Sequence, residues 1–277
     1  MNQIRKGVCE IMILETLVQS TKKRVASAKR KVPLDDLKSK IFYKGKVKKF
    51  QSRDDFAFEK VLENEGMSFI CEVKRASPSK GIIAPAFPYK EIACEYEKAG
   101  AHAISVLTEP EYFKGRDIYL KEISEMVSIP VLRKDFIIDE YQIYESKLMG
   151  ADAVLLICTL MDANTLKKYI NICDELGLSA LVEAYTKDEV IMAIESGARV
   201  IGVNNRNLRT FEVNIQNCIN LRELVPKDIS YVAESGIQTR EDILQLEKAG
   251  VDAVLIGEAL MKSEDKKAML DYLKGYK

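Results

Sequence analysis

The sequence predicts a (β/α)8 barrel, or TIM barrel, with an N-terminal helical extension. Eight short apolar runs alternate with segments of helical periodicity, which is typical of βα units. A similar phrase, in which a glycine ends a helix and an apolar strand follows, recurs at Gly100, Gly150, Gly197 and Gly250. Because this repeat spans about two βα units, it favours a closed barrel over an open doubly wound sheet.

The strands and helices follow one another in strict alternation. The predicted strands are 69–75, 103–108, 131–135, 153–158, 180–184, 200–205, 230–235 and 253–258. The predicted helices between them are 89–99, 119–126, 140–149, 163–176, 187–196, 214–224 and 240–249. Near-continuous apolar strands indicate a parallel sheet buried on both faces. No glycine-rich dinucleotide fingerprint follows the first strand, which argues against the open sheet.

The segment before the first strand, residues 1–68, is expected to pack on the barrel within a single domain of residues 1–277. Its apolar content is too small for a core of its own. One helical face is predicted from four apolar residues, Ile11, Leu14, Leu17 and Val18. The segment is basic, with a net charge of +7, but no aromatic residues interleave its first two basic clusters. We therefore favour a solvated surface over a patch that binds nucleic acid.

Composition limits the partners and the compartment. Lys+Arg and Asp+Glu both total 42, so no net charge attracts the chain to nucleic acid or to an anionic membrane. No apolar run reaches the length of about 18 residues that a membrane span needs. The six cysteines form no CxxC pair and His102 is the only histidine, which argues against a zinc site or a disulfide framework. We expect a cytoplasmic protein with no metal and no organic cofactor.

The C-terminal ends of the predicted strands are unusually polar. Active sites of (β/α)8 barrels lie at these ends. Glu72 and Lys74 lie on one side of the first strand, Lys134 lies near the end of the third, and Glu183 lies in the fifth. Asn204 and Arg206 follow on the sixth strand. These groups are either ion pairs that satisfy one another or a ligand site. Convergence from several strands is costly unless a ligand shares the charge, so we favour a site.

The last two strands end in small residues that suit an anion. Ser235-Gly236 and Gly257-Glu258 let backbone N–H groups approach a ligand, and a short helix is predicted from Glu258. Phosphate commonly binds at this place in such barrels. The alternative is that both glycines are plain turn residues. We predict a phosphate site at Gly236, Gly257 and Glu258.

Five other residues are interpreted as structural. His102 lies at the N-terminal end of the second strand, which is the stabilising end of the barrel. Cys158, like Cys71, lies within a strand and is expected to be a small core residue. Asp152 and Asp252 precede the fourth and eighth strands and are interpreted as turn residues.

The phrase E-x-K-x-x-S-P-S at residues 72–79 resembles the signature of the indole-3-glycerol-phosphate synthase family. Further matches to this family follow in order at 105–109, 112–115, 134–136, 181–183, 202–208, 233–237 and 255–258. The resemblance covers the whole chain, including the N-terminal helical extension. It implies conversion of 1-(2-carboxyphenylamino)-1-deoxyribulose 5-phosphate to indole-3-glycerol phosphate, with loss of carbon dioxide and water. It leaves open an association with other enzymes of tryptophan biosynthesis.

The resemblance also implies catalytic roles. Lys134 would protonate the ketone oxygen as the ring carbon attacks, and we expect neighbouring cations to lower its pKa. Glu183 would stabilise the positive charge that develops on the anilino nitrogen. Lys74 and Glu72 would serve the dehydration as acid and base, and the sequence does not say which lysine acts in which step. Asn204 would orient the substrate.

The remaining predicted residues bind or cover the substrate. Ser235 would contact its hydroxyls or phosphate, and Arg206 or Lys74 would bind the benzoate carboxylate. Phe113 would cover the aromatic ring, and Leu255 is a further predicted substrate contact. Ser77 begins a loop, 77–88, that we expect to act as a lid.

Two other functions are compatible with such a barrel. One is a sister enzyme, either a phosphoribosylanthranilate isomerase, which would use a cysteine and an aspartate at the strand ends, or an aldolase with a Schiff base on Lys134 or Lys74. The other is a silent barrel that only binds a phosphorylated ligand. Both acids and bases are present at the strand ends, and a pure binding module has no need of both.

Overall fold

A computed structural model describes residues 2–50, 53–207 and 210–276, without the side chains of residues 2–13. The predicted contribution of Ile11 to a helical face, and of Leu208 to one matched motif, therefore lies outside the described residues. Eight parallel strands form a closed barrel in chain order, and the last strand pairs with the first. They are β1 (Ser68–Val73), β2 (Ala103–Leu107), β3 (Val131–Lys134), β4 (Ala153–Ile157), β5 (Ser179–Ala184), β6 (Val200–Asn204), β7 (Ser230–Glu234) and β8 (Ala253–Ile256).

The helices follow the predicted alternation. Three precede the barrel: α1 (Asn2–Lys31), α2 (Leu34–Ile41) and α3 (Ala57–Lys60). Those that follow β1 to β8 are α4 (Tyr89–Lys98), α5 (Asp117–Met126), α6 (Glu140–Leu148), α7 (Ala163–Glu175), α8 (Lys187–Glu195), α9 (Gln216–Leu221), α10 (Arg240–Lys248), α11 (Glu258–Lys262) and α12 (Lys266–Lys274). The eight strands and the (β/α)8 barrel are confirmed. The predicted helix 214–224 is shorter, since its end is the 3-10 turn Arg222–Leu224, and α12 was not predicted.

The repeated glycines end four of these helices as the sequence predicted. Gly100, Gly150, Gly197 and Gly250 have φ angles of 82°, 84°, 88° and 79°. A glycine adopts this left-handed conformation without the steric penalty that a Cβ brings, so the chain can leave the helix and enter the next strand within two or three residues.

The apolar residues form two layers. Inward-facing residues such as Ile70, Leu132 and Leu181 fill the barrel, and the larger cluster lies between the barrel and the surrounding helices. Phe58 and Leu62, which lie before β1, belong to the inner cluster. The inner cluster contains no apolar residue of β1 or β6 beyond Ile70 and Val200, so the later inward positions of these strands are left for polar groups.

The segment before β1 packs on the barrel through the helix α1 and a small hairpin. Leu17 of α1 is buried, and Arg24 makes two 2.7 Å hydrogen bonds to the carboxylate of Asp135 directly after β3. Two-residue strands, Phe42–Tyr43 and Lys46–Val47, form a small antiparallel hairpin after α2. Among the described residues, no helix is both long enough and apolar enough to cross a membrane.

Side chains at the N-terminal end of the barrel hold the beginnings of the strands. Asp152 accepts hydrogen bonds from the Val131 amide at 2.8 Å and from Arg53 at 2.7 Å. Asp252 accepts one from the Tyr231 amide at 2.7 Å. The interpretation of Asp152 and Asp252 as simple turn residues was therefore incomplete, because each carboxylate satisfies a backbone N–H group of the preceding strand in the barrel. His102 is structural as expected, since its Nδ1 accepts from the Phe69 amide at 3.0 Å.

Candidate active site

A cavity of about 450 Å³ opens at the C-terminal ends of the strands. The structure brings all thirteen residues predicted from the sequence into its lining: Glu72, Lys74, Ser77, Phe113, Lys134, Glu183, Asn204, Arg206, Ser235, Gly236, Leu255, Gly257 and Glu258. Their common location follows from the closed parallel barrel, which gathers the ends of eight strands around one opening.

Lys134 is the centre of the charged cluster at the bottom of this cavity. Its ammonium lies 3.0 Å from Glu183 Oε2 and 3.0 Å from Glu234 Oε2, and the three side chains are at most 15% exposed. The barrel register explains this meeting, because Gly202 lies beside Glu183 on one side and Asn204 lies beside Glu234 on the other. A side chain at Gly202 would overlap Glu234 Oε1, so the glycine makes room for this carboxylate.

The surroundings of Lys134 are the reverse of those expected from the sequence. Burial alone lowers the pKa of Lys134, but the carboxylates of Glu183, Glu234 and Glu72 outweigh burial and raise this pKa above its ordinary value. The prediction that neighbouring cations lower the pKa was wrong, since the nearest charges are negative. Lys134 is therefore a fully protonated ammonium that can give its proton only to an oxygen that becomes strongly basic.

The pKa of Glu234 is also raised, but for a carboxyl group this shift favours the uncharged form. Burial is the largest cause and raises the pKa of Glu234 to about 8, with Lys134 opposing and Glu183 adding to the rise. Its Oε1 has no hydrogen-bond partner among the described residues. A carboxyl group with such a pKa holds or releases a proton near neutral pH, which is typical of functional sites.

Glu72 and Lys74 form a second ion pair at the end of β1. β1 ends at Val73, two residues earlier than predicted, so Lys74 lies just after the strand. Val73 faces the helices and Glu72 faces the cavity, as the predicted alternation requires. A Cβ at Gly257 would overlap Glu72 Oε1 and come within 2.8 Å of Lys74 Nζ. The missing side chain at the end of β8 therefore admits this pair into the barrel.

Asn204 connects the carboxylates to the loop after β6. Its Nδ2 donates to Glu183 Oε1 at 3.2 Å, and its Oδ1 accepts from the Arg206 amide at 2.9 Å. The Arg206 guanidinium donates to the Phe211 carbonyl at 3.4 Å, and Phe211 also lines the cavity. One amide side chain thus fixes both the orientation of Glu183 and the position of Arg206.

The end of β7 turns sharply beside the cavity. Ser235 has a φ of 66° and Gly236 a φ of 84°. A positive φ is unfavourable for serine, and such strain is concentrated at functional sites. The Ser235 carbonyl accepts a hydrogen bond from Asn205 Nδ2 at 3.1 Å, which stabilises the turn. A side chain at Gly236 would overlap Val213, so the backbone here approaches its neighbours closely.

Apolar residues form the walls. The Phe113 ring lies 6.2 Å from the Phe136 ring, and three backbone amides, including that of Phe113, donate to the buried Glu109 carboxylate and fix this loop. Leu255 is buried in the inner cluster below the charged groups. Leu14 and Leu17 of α1 also line the cavity, so the N-terminal segment contributes to its wall.

The sequence interpretation missed Glu234 and the basic Lys80, which both line the cavity. Val232 and Glu234 share the inward face of β7, as Ile70 and Glu72 share that of β1. The alternation of side chains along a strand could therefore have predicted that Glu234 faces the cavity. Lys80 lies seven residues after β1 and 3.8 Å from Glu258, and no periodicity of the sequence predicts that contact.

Fold and site together define a (β/α)8 barrel enzyme of the acid–base type, with ammonium and carboxylate groups in one water-accessible cavity. The model of the family described as indole-3-glycerol phosphate synthase matches residues 14–273. The chain belongs to the indole-3-glycerol phosphate synthase family.

Individual relatives agree with the family match. A protein from Ruminiclostridium cellulolyticum named indole-3-glycerol phosphate synthase is 58% identical over 264 residues, which cover 95% of this chain and 99% of the relative. One of the same name from Lachnoclostridium phytofermentans is 53% identical over 268 residues, with the same coverage. The solved 3-hexulose-6-phosphate synthase from Salmonella typhimurium has a TM-score of 0.62 at 18% identity, over 76% of this chain and 97% of that chain, which shows the fold alone.

Proposed function

We propose that the chain closes the indole ring of 1-(2-carboxyphenylamino)-1-deoxyribulose 5-phosphate to form indole-3-glycerol phosphate, carbon dioxide and water. The observation that carries the proposal is the Lys134 ammonium between the carboxylates of Glu183 and Glu234. An ammonium there supplies a proton, and carboxylates beside it stabilise a cation. Ring closure needs both in one place.

Lys134 acts in the first half of the reaction. The ring carbon that carries the carboxylate forms a bond to the ketone carbon, and the ketone oxygen takes a proton from Lys134. Positive charge develops on the anilino nitrogen and is stabilised by Glu183. The bond to the carboxylate then breaks and carbon dioxide leaves, which restores the aromatic ring. The raised pKa of Lys134 delays proton transfer until bond formation makes the oxygen basic.

Lys74 and Glu72 act in the second half. Lys74 protonates the leaving hydroxyl group, and Glu72 removes a proton from the carbon next to the nitrogen, so water is lost and the indole forms. Asn204 and Phe113 orient the substrate, and Ser77 and Leu255 complete its surroundings. Arg206 binds the benzoate carboxylate, and Ser235 and the backbone of Gly236, Gly257 and Glu258 bind the phosphate. Loop 77–88 closes over the cavity and excludes water.

Single-turnover kinetics of Lys134→Ala test this assignment. We expect ring closure to slow by about 10²–10³-fold, the typical effect of removing one preorganised donor. Lys147→Ala is the matched control, because the Lys147 side chain is 13% exposed against 15% for Lys134 but lies at the other end of the barrel. Ring closure near the wild-type rate in Lys134→Ala would contradict the proposed role.

The proposal extends to the setting of the reaction. The equal numbers of acidic and basic residues support a protein that does not bind nucleic acid, and a sequence whose cysteines form no CxxC pair supports a cytoplasmic location. Association with other enzymes of tryptophan biosynthesis is tested by sedimentation of the mixed proteins.

A further inference from the structure

Lys80 is a cation at the rim of the cavity that the reaction described above does not use. It lies in the turn of a hairpin whose two short strands, Ala76–Ser77 and Gly81–Ile82, begin only one residue after Arg75. The Arg75 carbonyl accepts from the amides of Ile83 and Ala84 at 2.9 and 3.1 Å, so the hairpin is anchored directly behind Lys74. Lys80 is therefore held above the cavity by a short, hydrogen-bonded element.

The contact of Lys80 in the structure is a weak one. Its ammonium lies 3.8 Å from Glu258 Oε1, which is too long for a hydrogen bond, and the side chain is 51% exposed. Lys262 donates to the same oxygen at 2.6 Å. Because Lys262 already neutralises Glu258, Lys80 can leave this carboxylate without exposing an unpaired charge.

Apart from Lys80, every cation among the described residues that line the cavity is paired with a carboxylate or assigned to the benzoate group of the substrate. The backbone of Gly236, Gly257 and Glu258 offers neutral N–H groups, and the Glu258 carboxylate repels a dianion. Lys74 is the nearest cation behind Gly257, but it is already paired with Glu72. A cation at the rim would supply the missing charge, and Lys80 lines the same cavity within reach of Glu258.

We infer that Lys80 is a further phosphate-binding residue, which exchanges its contact with Glu258 for the phosphate of the substrate. The inference rests on the proposed function, because it takes a phosphorylated substrate as the ligand. The exchange adds one charge-assisted contact to the phosphate and draws the hairpin that follows β1 over the cavity. Lys80 is thus a binding residue and takes no part in proton transfer.

Steady-state kinetics of Lys80→Gln, with inorganic phosphate as a competitive inhibitor, test the inference. We expect the KM for the substrate and the inhibition constant of phosphate to rise by the same factor, about five- to tenfold, with kcat unchanged, because a partly exposed charge-assisted contact is lost. Lys80→Arg keeps the charge and should restore both constants to within about twofold of wild type.

Lys187→Gln is the matched control. Lys187 is an exposed lysine at the start of α8, on the same end of the barrel but outside the cavity lining. Its replacement removes the same charge and should leave both constants unchanged. An unchanged inhibition constant in Lys80→Gln, or an equal rise in Lys187→Gln, would overturn the assignment of Lys80.

The two proposals fail in different ways. If the wild-type protein forms no indole product but calorimetry shows that Lys80→Gln weakens phosphate binding, the proposed function fails and the phosphate contact of Lys80 stands. If the wild-type protein forms the product and Lys80→Gln lowers kcat at an unchanged KM, Lys80 acts in a step after binding and the inference is overturned.

Discussion

The two ends of the barrel use charged side chains for different purposes. At the N-terminal end, Asp152 and Asp252 accept hydrogen bonds from backbone amides of neighbouring strands, and Asp152 also pairs with Arg53. At the C-terminal end, the Lys134 ammonium pairs with the carboxylates of Glu183 and Glu234, and Asn204 donates a further hydrogen bond to Glu183. Charges at the first end have the backbone as a partner, and charges at the second end face a cavity.

This difference indicates that the charged groups at the C-terminal end make the folded protein less stable. Three carboxylates and two ammonium groups line the bottom of the cavity: Glu72, Glu183, Glu234, Lys74 and Lys134. One carboxylate oxygen, Glu234 Oε1, has no hydrogen-bond partner among the described residues, and burying such an oxygen is unfavourable. Active sites commonly retain groups of this kind because the reaction needs them. Removing a charge from the C-terminal end should therefore lower activity with little loss of stability, and removing one from the N-terminal end should lower stability with little loss of activity.

After Lys134→Ala, the largest effect on activity is expected from Glu183→Gln. The amide keeps the shape of Glu183 but loses the charge that stabilises the anilino cation, so kcat should fall about 100-fold with little change in the free energy of unfolding. Steady-state kinetics and urea unfolding measure both. Glu59→Gln is the control, because Glu59 pairs with Arg199 at 2.8 Å at the N-terminal end. It should retain kcat. A lower kcat in Glu59→Gln would contradict the claim that charges at the N-terminal end do not serve the reaction.

The largest effect on stability is expected from Asp152→Ala. The substitution removes the acceptor of the Val131 amide and the partner of Arg53, whose side chain is 6% exposed. Arg53 keeps its hydrogen bonds to backbone carbonyls, so the loss should be about 2–3 kcal/mol, near the lower limit for a broken buried pair. Urea unfolding measures it, and kcat should stay within about twofold of wild type. An unchanged free energy of unfolding would show that Asp152 is only a turn residue.

A smaller, pH-dependent effect is expected from Glu234→Gln. The pKa of Glu234 is raised to about 8, mainly by burial, whereas an unfolded glutamate titrates near about 4.3. Below pH 4 the folded and the unfolded protein both hold the proton, so Glu234 does not lower the free energy of unfolding. As the pH rises to 8, the unfolded state loses its proton first, so the wild-type protein loses stability that the glutamine variant retains.

Unfolding of both proteins across this pH range measures the effect. We expect the advantage of Glu234→Gln to grow with pH to about 2 kcal/mol, while its kcat falls because Lys134 loses a partner. Equal stabilities at pH 4 and pH 8 would show that the Glu234 carboxyl group is not strained in the folded protein.

Most of the fold was predictable from local patterns. The four repeated glycines mark where helices stop, and the apolar runs mark the strands, because both patterns report on short stretches of chain. The helix α12 was missed because only Leu270 and Leu273 of its nine residues are buried, which leaves a weak apolar pattern. Its position depends on packing against α4, α10 and α11, which the local sequence does not encode.

The candidate site was predictable by residue type, but its electrostatics were not. Glu72, Lys74 and Lys134 stand out as charges at strand ends. The direction of the pKa of Lys134 depends on which carboxylates face it, and that depends on the register of β5, β6 and β7 around the closed barrel. A single strand does not reveal this register. For that reason the sequence placed Lys134 among cations, and the structure places it among carboxylates.

The central claim is that the charges at the C-terminal end serve a ring-closing reaction. The most direct measurement is indole fluorescence after the wild-type protein is mixed with 1-(2-carboxyphenylamino)-1-deoxyribulose 5-phosphate in the presence of a chelator. We predict that indole-3-glycerol phosphate forms. Tight binding of the substrate by calorimetry with no fluorescent product would contradict the claim, and would identify a barrel that binds the phosphorylated ligand without converting it.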